Sequence, residues 1–182
     1  MANEEKLLLW QRFTLREGIL LAFCATFIVI TRAGLMLNLK IPGHVMLFMA
    51  FFMILARGCV PKIGAPTLVG LISGIVSVLI GMGKSGPLTM VKFLFPAIIV
   101  DIAGMIYPQF PTSYLASIIV GLLLSAGRSL TTTGIEYAVG METEIVLQKA
   151  AIMAFSHALF GGIGSALVPP IIKRLKANRL IK

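Results

Sequence analysis

Charged side chains are scarce in this sequence, and so are cysteine and histidine. Asp, Glu, Lys and Arg make up 13% of the 182 residues, whereas soluble domains carry about 25%. Cys24 and Cys59 have neither disulfide nor metal-ligand spacing, and His44 and His157 have no HExxH or cysteine partner. We therefore expect no metal site and no cofactor. Hydrophobic residues reach 58%, which predicts that the chain lies in a lipid bilayer.

Six continuous apolar tracts account for most of the chain. Hydrocarbon offers no hydrogen-bond partners, so a spanning segment is a helix or part of a closed barrel, and these tracts lack the alternation of barrel strands. We predict an all-α integral membrane protein, a compact bundle of six transmembrane helices. Because a helix needs about 20 residues to cross the bilayer, the second and fifth tracts are short, and five spans with a re-entrant second segment remain an alternative. The predicted spans are residues 17–37, 43–58, 64–82, 88–107, 112–129 and 147–172.

The basic residues predict the orientation of this bundle. With the N-terminus in the cytoplasm, ten Lys and Arg residues fall on the cytoplasmic side, and three, Lys40, Lys84 and Arg128, fall in outer loops. This bias predicts that the N-terminus and the C-terminus are both cytoplasmic. The net charge of +9 is then a topology signal, and we expect no nucleic-acid partner. The predicted parts are a short cytoplasmic interfacial helix in 1–16, a transmembrane domain, 17–172, and a basic tail, 173–182.

Catalytic motifs are absent from the sequence. Gly83-Lys84-Ser85 lacks the glycine that a phosphate-binding loop has five residues earlier, since position 78 is Val. No Gly-x-Ser-x-Gly elbow occurs. Gly161, Gly162 and Gly164 lie within a predicted span, where glycines favour close helix packing. We predict that the chain is not an enzyme and has no catalytic residues.

Small residues mark one face of the first predicted span. Gly18, Ala22 and Ala25 recur at spacings of four and three, so they are predicted to share a helix face that allows close approach of another membrane helix. This face either packs inside the bundle or docks a partner protein. A second such face, formed by Gly70 and Gly74, is assigned to internal packing.

Three stretches of the chain resemble a known family. They are Gly18-Ile-Leu-Leu-Ala22-Phe-Cys-Ala25 on the first span, Ile41-Pro42-Gly43-His44 at the start of the second, and the turn Gly81-Met-Gly-Lys-Ser-Gly86-Pro87 after the third. With six spans and a cytoplasmic N-terminus, they resemble the substrate-binding S component of an energy-coupling factor (ECF) vitamin transporter. In that family an alanine motif on the first helix docks the transmembrane coupling subunit. Here the alanines are three residues apart, and Gly18 completes the usual spacing of four with Ala22.

The resemblance implies a function and a set of partners. S components capture a vitamin or micronutrient in their outer half and contain no ATPase. They dock on a transmembrane coupling subunit that carries two cytoplasmic ATPases, and the loaded protein topples in the membrane to release its cargo inside. The implied location is the cell membrane of a bacterium or archaeon, which the chain crosses several times.

Three cations and a histidine are predicted in the outer half, where such a substrate binds. At 1.5 Å per residue, Arg32 lies about 22 Å along the first span, Lys92 about 6 Å below the outer end of the fourth, and Lys149 about 3 Å into the sixth. His44 opens the second span on the same side. These side chains predict an anionic group on the ligand, such as a carboxylate or phosphate. The alternative is that the long side chains snorkel to the headgroups.

Acidic and polar residues complete the candidate site. Residues 130–146 are predicted to be a long outer loop that covers it, and Glu142 is assigned to the ligand. Alternatively, Glu142 or Glu144 pairs with Lys149. His157, near mid-membrane, either contacts the bottom of the pocket or hydrogen-bonds across helices. Asp101, about 20 Å into its span, is assigned a structural partner on another span.

Two other functions remain open from the sequence. One is a stand-alone secondary carrier, coupled to protons through Asp101 or His157, although the two halves show no convincing inverted repeat. The other is a non-transporting scaffold subunit of a membrane complex, whose function would reside in the small-residue faces.

Overall fold

Helices form the architecture of the molecule. The computed structural model describes residues 13–38, 43–82 and 86–181, with residues 35–38 described by their backbone only. Short 3₁₀ turns occur at Gly86–Thr89 and Phe110–Thr112, and the described ranges contain no strand. The α-helices of these ranges are α1 (Leu15–Asn38), α2 (Val45–Cys59), α3 (Ala65–Leu79), α4 (Val91–Ile106), α5 (Tyr114–Ala138), α6 (Thr143–Ala166) and α7 (Val168–Ala177).

The first six helices form the predicted bundle, with both ends of the described chain on the same side. Arg16 Nη2 donates to the Leu180 carbonyl at 2.9 Å, which joins the start of α1 to the residues after α7. Lys62, between α2 and α3, forms an ion pair with Glu17 at 2.7 Å. We call this side the inner end, because it is predicted to be cytoplasmic, and the opposite side the outer end. The predicted interfacial helix in 1–16 falls mostly outside the described residues, as do Lys40 and Lys84.

Helix lengths differ from the predicted spans in several places. The apolar stretches Leu15–Gly34, Gly86–Ile106, Tyr114–Ala138 and Thr143–Ala177 are long enough to cross a membrane. α2 and α3 have 15 residues each, or about 22 Å. The prediction that the second span is short is confirmed, whereas the fifth, predicted to be short, has 25 residues.

The fifth helix is longer than predicted because its polar end stays helical. Thr131 Oγ1 donates to the Gly127 carbonyl at 3.0 Å, and Thr132 Oγ1 donates to the Arg128 carbonyl at 2.9 Å. These hydroxyls find acceptors within the helix itself, so the polar tract does not break it. The predicted outer loop 130–146 is therefore wrong: residues 139–142 alone join α5 to α6.

The sixth predicted span is interrupted at Leu167. Pro169 lies in the first turn of α7, where a proline is tolerated because its missing N–H would have no helical acceptor. α7 packs under α2 so closely that a Cβ at Gly58 would lie 2.5 Å from Ile172 Cδ1. The helix predicted over 147–172 is thus divided into α6 and α7, and the predicted basic tail, 173–182, begins inside α7.

Glycines allow the helices of the bundle to approach closely. A Cβ at Gly70 would lie 2.6 Å from Ala97 Cβ and 2.8 Å from the Phe93 carbonyl, so α3 packs directly on α4. A Cβ at Gly164 would collide with the Leu47 carbonyl, which brings α6 onto α2. The assignment of these glycines to internal packing is confirmed.

Candidate functional site

Two arginines flank one buried phenylalanine in the outer half of the bundle. Phe93, in the first turn of α4, is fully buried. The Cζ of Arg32 on α1 lies 4.9 Å from the centre of its ring, and the Cζ of Arg128 on α5 lies 5.0 Å from it. The two guanidinium carbons are therefore within about 10 Å of each other. Three helices converge here to hold two positive charges beside one aromatic ring.

Arg32 has an incomplete set of hydrogen bonds. Its side chain is 6% exposed, and Nη2 donates to the Met82 carbonyl at 2.7 Å. Its Nη1 is buried and has no hydrogen-bond partner among the described residues. A buried donor without a partner costs about 1–3 kcal/mol, and more when it is charged. Arg32 turns into the bundle toward Phe93, so it does not snorkel.

Further charges surround this pair. Arg128 Nη1 donates to the carbonyl of Lys92, whose side chain interacts electrostatically with all the other charges of the group. Lys149 on α6 forms an ion pair with Glu136 on α5 at 2.5 Å. We call the set Arg32, Lys92, Arg128, Lys149 and Glu136 the outer basic cluster. With four cations and one carboxylate, its positive charge exceeds its negative charge.

A polar layer lies below this cluster. His157 Nδ1 and Ser129 Oγ are 3.0 Å apart, which joins α6 to α5. Gly43 adopts φ +87°, and a Cβ there would lie 2.6 Å from Ser156 Cβ. The chain therefore enters α2 against the middle of α6, and His44 lies at the level of His157 rather than at the outer surface.

The predicted site residues are partly brought together. Arg32, Lys92 and Lys149 belong to one cluster, with His157 beneath it. Glu142 is exposed in the connection before α6, and its role as a ligand contact stays a prediction. The alternative pairing of Lys149 with Glu142 or Glu144 is wrong, because Lys149 pairs with Glu136.

Sequence reasoning missed four members of this region: Arg128, Phe93, Glu136 and Ser129. Arg128 was assigned to an outer loop, but it lies within α5 and is partly buried. Its signal was its position, since Arg128, Thr132 and Glu136 recur every four residues and so share a helix face. Phe93 has no sequence signal among the 11 phenylalanines of the chain.

The structural role predicted for Asp101 is confirmed. Its Oδ1 accepts from the Gly64 N–H at 3.0 Å, and its Oδ2 accepts from the Thr67 N–H at 3.0 Å and from the Thr67 hydroxyl. The carboxylate of α4 thus caps the N-terminus of α3, where Gly64 offers no side chain.

The small residues of α1 do not share one exposed face. Ala25 is fully buried, and its carbonyl accepts from Ser73 Oγ at 3.3 Å. Ala22 is exposed, Gly18 is partly exposed with nothing within 4 Å of a Cβ placed there, and Thr26, four residues after Ala22, is exposed as well. Ala25 belongs to the bundle interior, whereas Gly18, Ala22 and Thr26 form a small-residue strip on its outside, at spacings of four.

A solved structure shares this architecture. It is described as the crystal structure of an S-component of ECF transporter; it superposes with a TM-score of 0.64, at 16% identity, over 93% of this chain and 96% of that one. No protein-family model and no curated protein matches the sequence. The chain therefore has the fold of an ECF S component, a multi-pass helical membrane protein, as its sequence predicted.

Proposed function

We propose that this protein is the substrate-binding subunit of an ECF-type importer, and that the outer basic cluster binds a small anionic nutrient. The fold supports the class of protein. The single observation that carries the ligand chemistry is the buried Nη1 of Arg32, which lacks a hydrogen-bond partner among the described residues; the guanidinium groups of Arg32 and Arg128 lie near the same Phe93 ring. A carboxylate or phosphate supplies what this donor lacks.

The charge balance of the cluster supports the same conclusion. Charges inside a membrane protein are costly, and this cluster brings four cations together with one carboxylate, which forms an ion pair with Lys149. An anionic ligand restores the balance and receives hydrogen bonds that are stronger than neutral ones. Phe93 contacts both arginines through its ring and so holds the two positive charges in one region.

Docking to a coupling subunit is assigned to the outside of α1. Gly18, Ala22 and Thr26 present small side chains at spacings of four, which allow another membrane helix to approach closely. The Thr26 hydroxyl is no obstacle, because it donates to the Ala22 carbonyl at 2.8 Å. Two ATPases attached to the coupling subunit supply the energy, and we assign the protein to the cell membrane of a bacterium or archaeon.

The ligand is identified by what the purified protein retains. The protein is extracted in mild detergent, and the small molecules released on denaturation are analysed by mass spectrometry. We expect a vitamin-like compound with a carboxylate or phosphate, whose binding to the protein alone is then measured by calorimetry. A protein that retains only neutral molecules, or that binds no small molecule, contradicts the proposal; the second result favours a scaffold.

Docking is tested by a bulky substitution on α1. Ala22→Trp is expected to abolish uptake and co-purification of the coupling subunit, while ligand binding to the isolated protein stays unchanged. The matched control is Ala126→Trp, which places the same bulk on an exposed alanine of α5. Ala25→Trp is unsuitable because Ala25 is fully buried. Normal uptake by the Ala22 variant, or uptake without any ATPase partner, favours a stand-alone carrier instead.

A further inference from the structure

A basic cavity lies at the inner end of the bundle. It has a volume of about 320 Å³ and is enclosed by the end of α2, the connection between α4 and α5, and α7. Arg57, Gln109, Thr112 and Lys176 provide the polar part of its lining, and none of the described residues that line it is acidic. The cavity lies at the opposite end of the protein from the outer basic cluster.

Arg57 is held in this cavity by a contact that only glycine permits. The side chain is 5% exposed, and Nη2 donates to the Gly104 carbonyl at 2.9 Å. A Cβ at Gly104 would collide with Arg57 Nε, so the glycine makes the space in which the guanidinium lies. The Nη1 of Arg57 is buried without a hydrogen-bond partner among the described residues.

Asp101, the nearby acid, does not accept a hydrogen bond from Arg57 Nη1. Asp101 interacts electrostatically with Arg57, but its oxygens accept hydrogen bonds from Gly64 and Thr67. Lys176 adds a second positive charge to the cavity wall. The chemistry that fits is an oxyanion that accepts from Arg57 and pairs with Lys176, and phosphate does both.

An apolar groove adjoins the same connection. It runs along α4 and α5 with a volume of about 370 Å³, and Ile102, Ile106 and Leu123 are among its lining residues. It reaches Tyr107 and Phe110, while Pro108 and Gln109, between them in sequence, line the basic cavity. A basic cavity beside a lipid-facing apolar groove matches the two parts of a phospholipid.

We propose that the inner cavity binds the phosphate of an anionic phospholipid, whose acyl chain lies in the groove between α4 and α5. The position supports a lipid over a free phosphate, because α2 and α4 end here, at the inner end of the bundle, beside the apolar groove. α7 adds Lys173 and Arg174, both exposed, and basic residues near an anionic leaflet are attracted to it. The proposal does not depend on the proposed transport function.

The test compares lipids and variants by native mass spectrometry of the whole protein in detergent. Phosphatidylglycerol is titrated against phosphatidylcholine, and inorganic phosphate is titrated separately by calorimetry. We expect one tightly bound phosphatidylglycerol, weakened about tenfold by Arg57→Gln and by Lys176→Gln, which is about 1.4 kcal/mol. Lys173→Gln is the matched control, since it removes the same charge from α7 outside the cavity.

Several outcomes overturn the proposal. Equal affinity for both lipids would show that the site does not select a negatively charged headgroup. Equal effects of Lys176→Gln and Lys173→Gln would show that the lipid is attracted by the overall charge of α7 and not by the cavity. Tight binding of inorganic phosphate without phosphatidylglycerol makes the site a free-anion site. Loss of a protein partner with unchanged lipid binding makes it a protein interface. Should Arg57→Gln fail to fold, Lys176→Gln decides alone, because Lys176 is exposed.

Discussion

Two sets of charges within the helical bundle differ in how completely the protein satisfies them. Asp101 accepts hydrogen bonds from Gly64 and from both donors of Thr67, so its carboxylate is bound by the protein itself. Arg32 lies at similar burial, 6% against 5%, yet one of its donors has no hydrogen-bond partner among the described residues. Burial alone therefore does not distinguish structural from functional charges.

The two kinds of charge differ in whether the protein itself provides all of their hydrogen-bond partners. A charge that the fold satisfies contributes to stability, and its removal leaves partners unpaired. A charge that the fold leaves incomplete costs stability, and under the proposed function its partner is the ligand. Substitutions in the two regions should therefore move different measurements, and the following predictions test that difference.

The largest effect is expected on stability, from Asp101→Ala. The substitution removes the cap of α3 and leaves three donors without an acceptor, so we expect a loss of about 3 kcal/mol or more. Thermal unfolding in detergent measures it. Asp101→Asn, which keeps one carbonyl acceptor, should fall between the variant and the unmodified protein. Unchanged thermal stability combined with lost ligand binding would move Asp101 into the functional set.

The next effect is expected on ligand affinity, from Arg32→Gln and Arg128→Gln. Each should weaken binding tenfold or more, which is about 1.4 kcal/mol, while lowering the melting temperature far less than Asp101→Ala does. Calorimetry with the identified ligand measures the affinity. Arg174→Gln, at the exposed inner end, is the control. If both cluster variants bind normally, the anion does not bind at this cluster.

A smaller change of opposite sign is expected from Glu136→Gln. This substitution removes the one carboxylate of the outer basic cluster and frees Lys149, so the anion should bind more tightly, by a few-fold. The partly exposed ion pair itself contributes up to about 1 kcal/mol to stability. Lys149→Gln should weaken binding instead. Tighter binding by both variants would show that the pair blocks the site sterically rather than setting its charge.

The smallest effect is expected at the inner end, from Glu17→Gln. Its ion pair with Lys62 spans 2.7 Å, but the side chains are 24% and 22% exposed. Pairs of this kind contribute about 0–1 kcal/mol, so unfolding and ligand affinity should both stay nearly unchanged. A large loss of stability here would mean that the inner end, like Asp101, holds the bundle together.

Much of the fold was predictable because apolar length is a local property. The six spans and the glycine packing follow from the composition of each tract. Helix ends were less predictable. Residues 130–136 have the composition of a loop, and only the structure shows that hydroxyls such as that of Thr131 bond within the helix. The short α2 also has a tertiary cause, because the chain enters it beside Ser156 rather than at the surface.

Of the candidate site, the sequence predicted the sign of the charge but not the contacts between its residues. Sequence depth placed Arg32, Lys92 and Lys149 in the outer half and indicated an anion. It did not predict that Lys149 pairs with Glu136, which lies 13 residues away on another helix. Nor did spacing along α1 show that Ala25 faces inward while Ala22 faces outward, because that depends on where the neighbouring helices pack.

The sequence by itself determined that the protein lies in the membrane, that it is helical, and that its inner end is basic, because hydrophobicity and charge act residue by residue against lipid and water. Tertiary structure alone decided which charges are satisfied. The partners of Asp101 lie 34 and 37 residues away, and Arg32 bonds to a carbonyl 50 residues away. Contacts at such separations are set by the packing of whole helices, and the same packing leaves Arg32 Nη1 without a hydrogen-bond partner among the described residues.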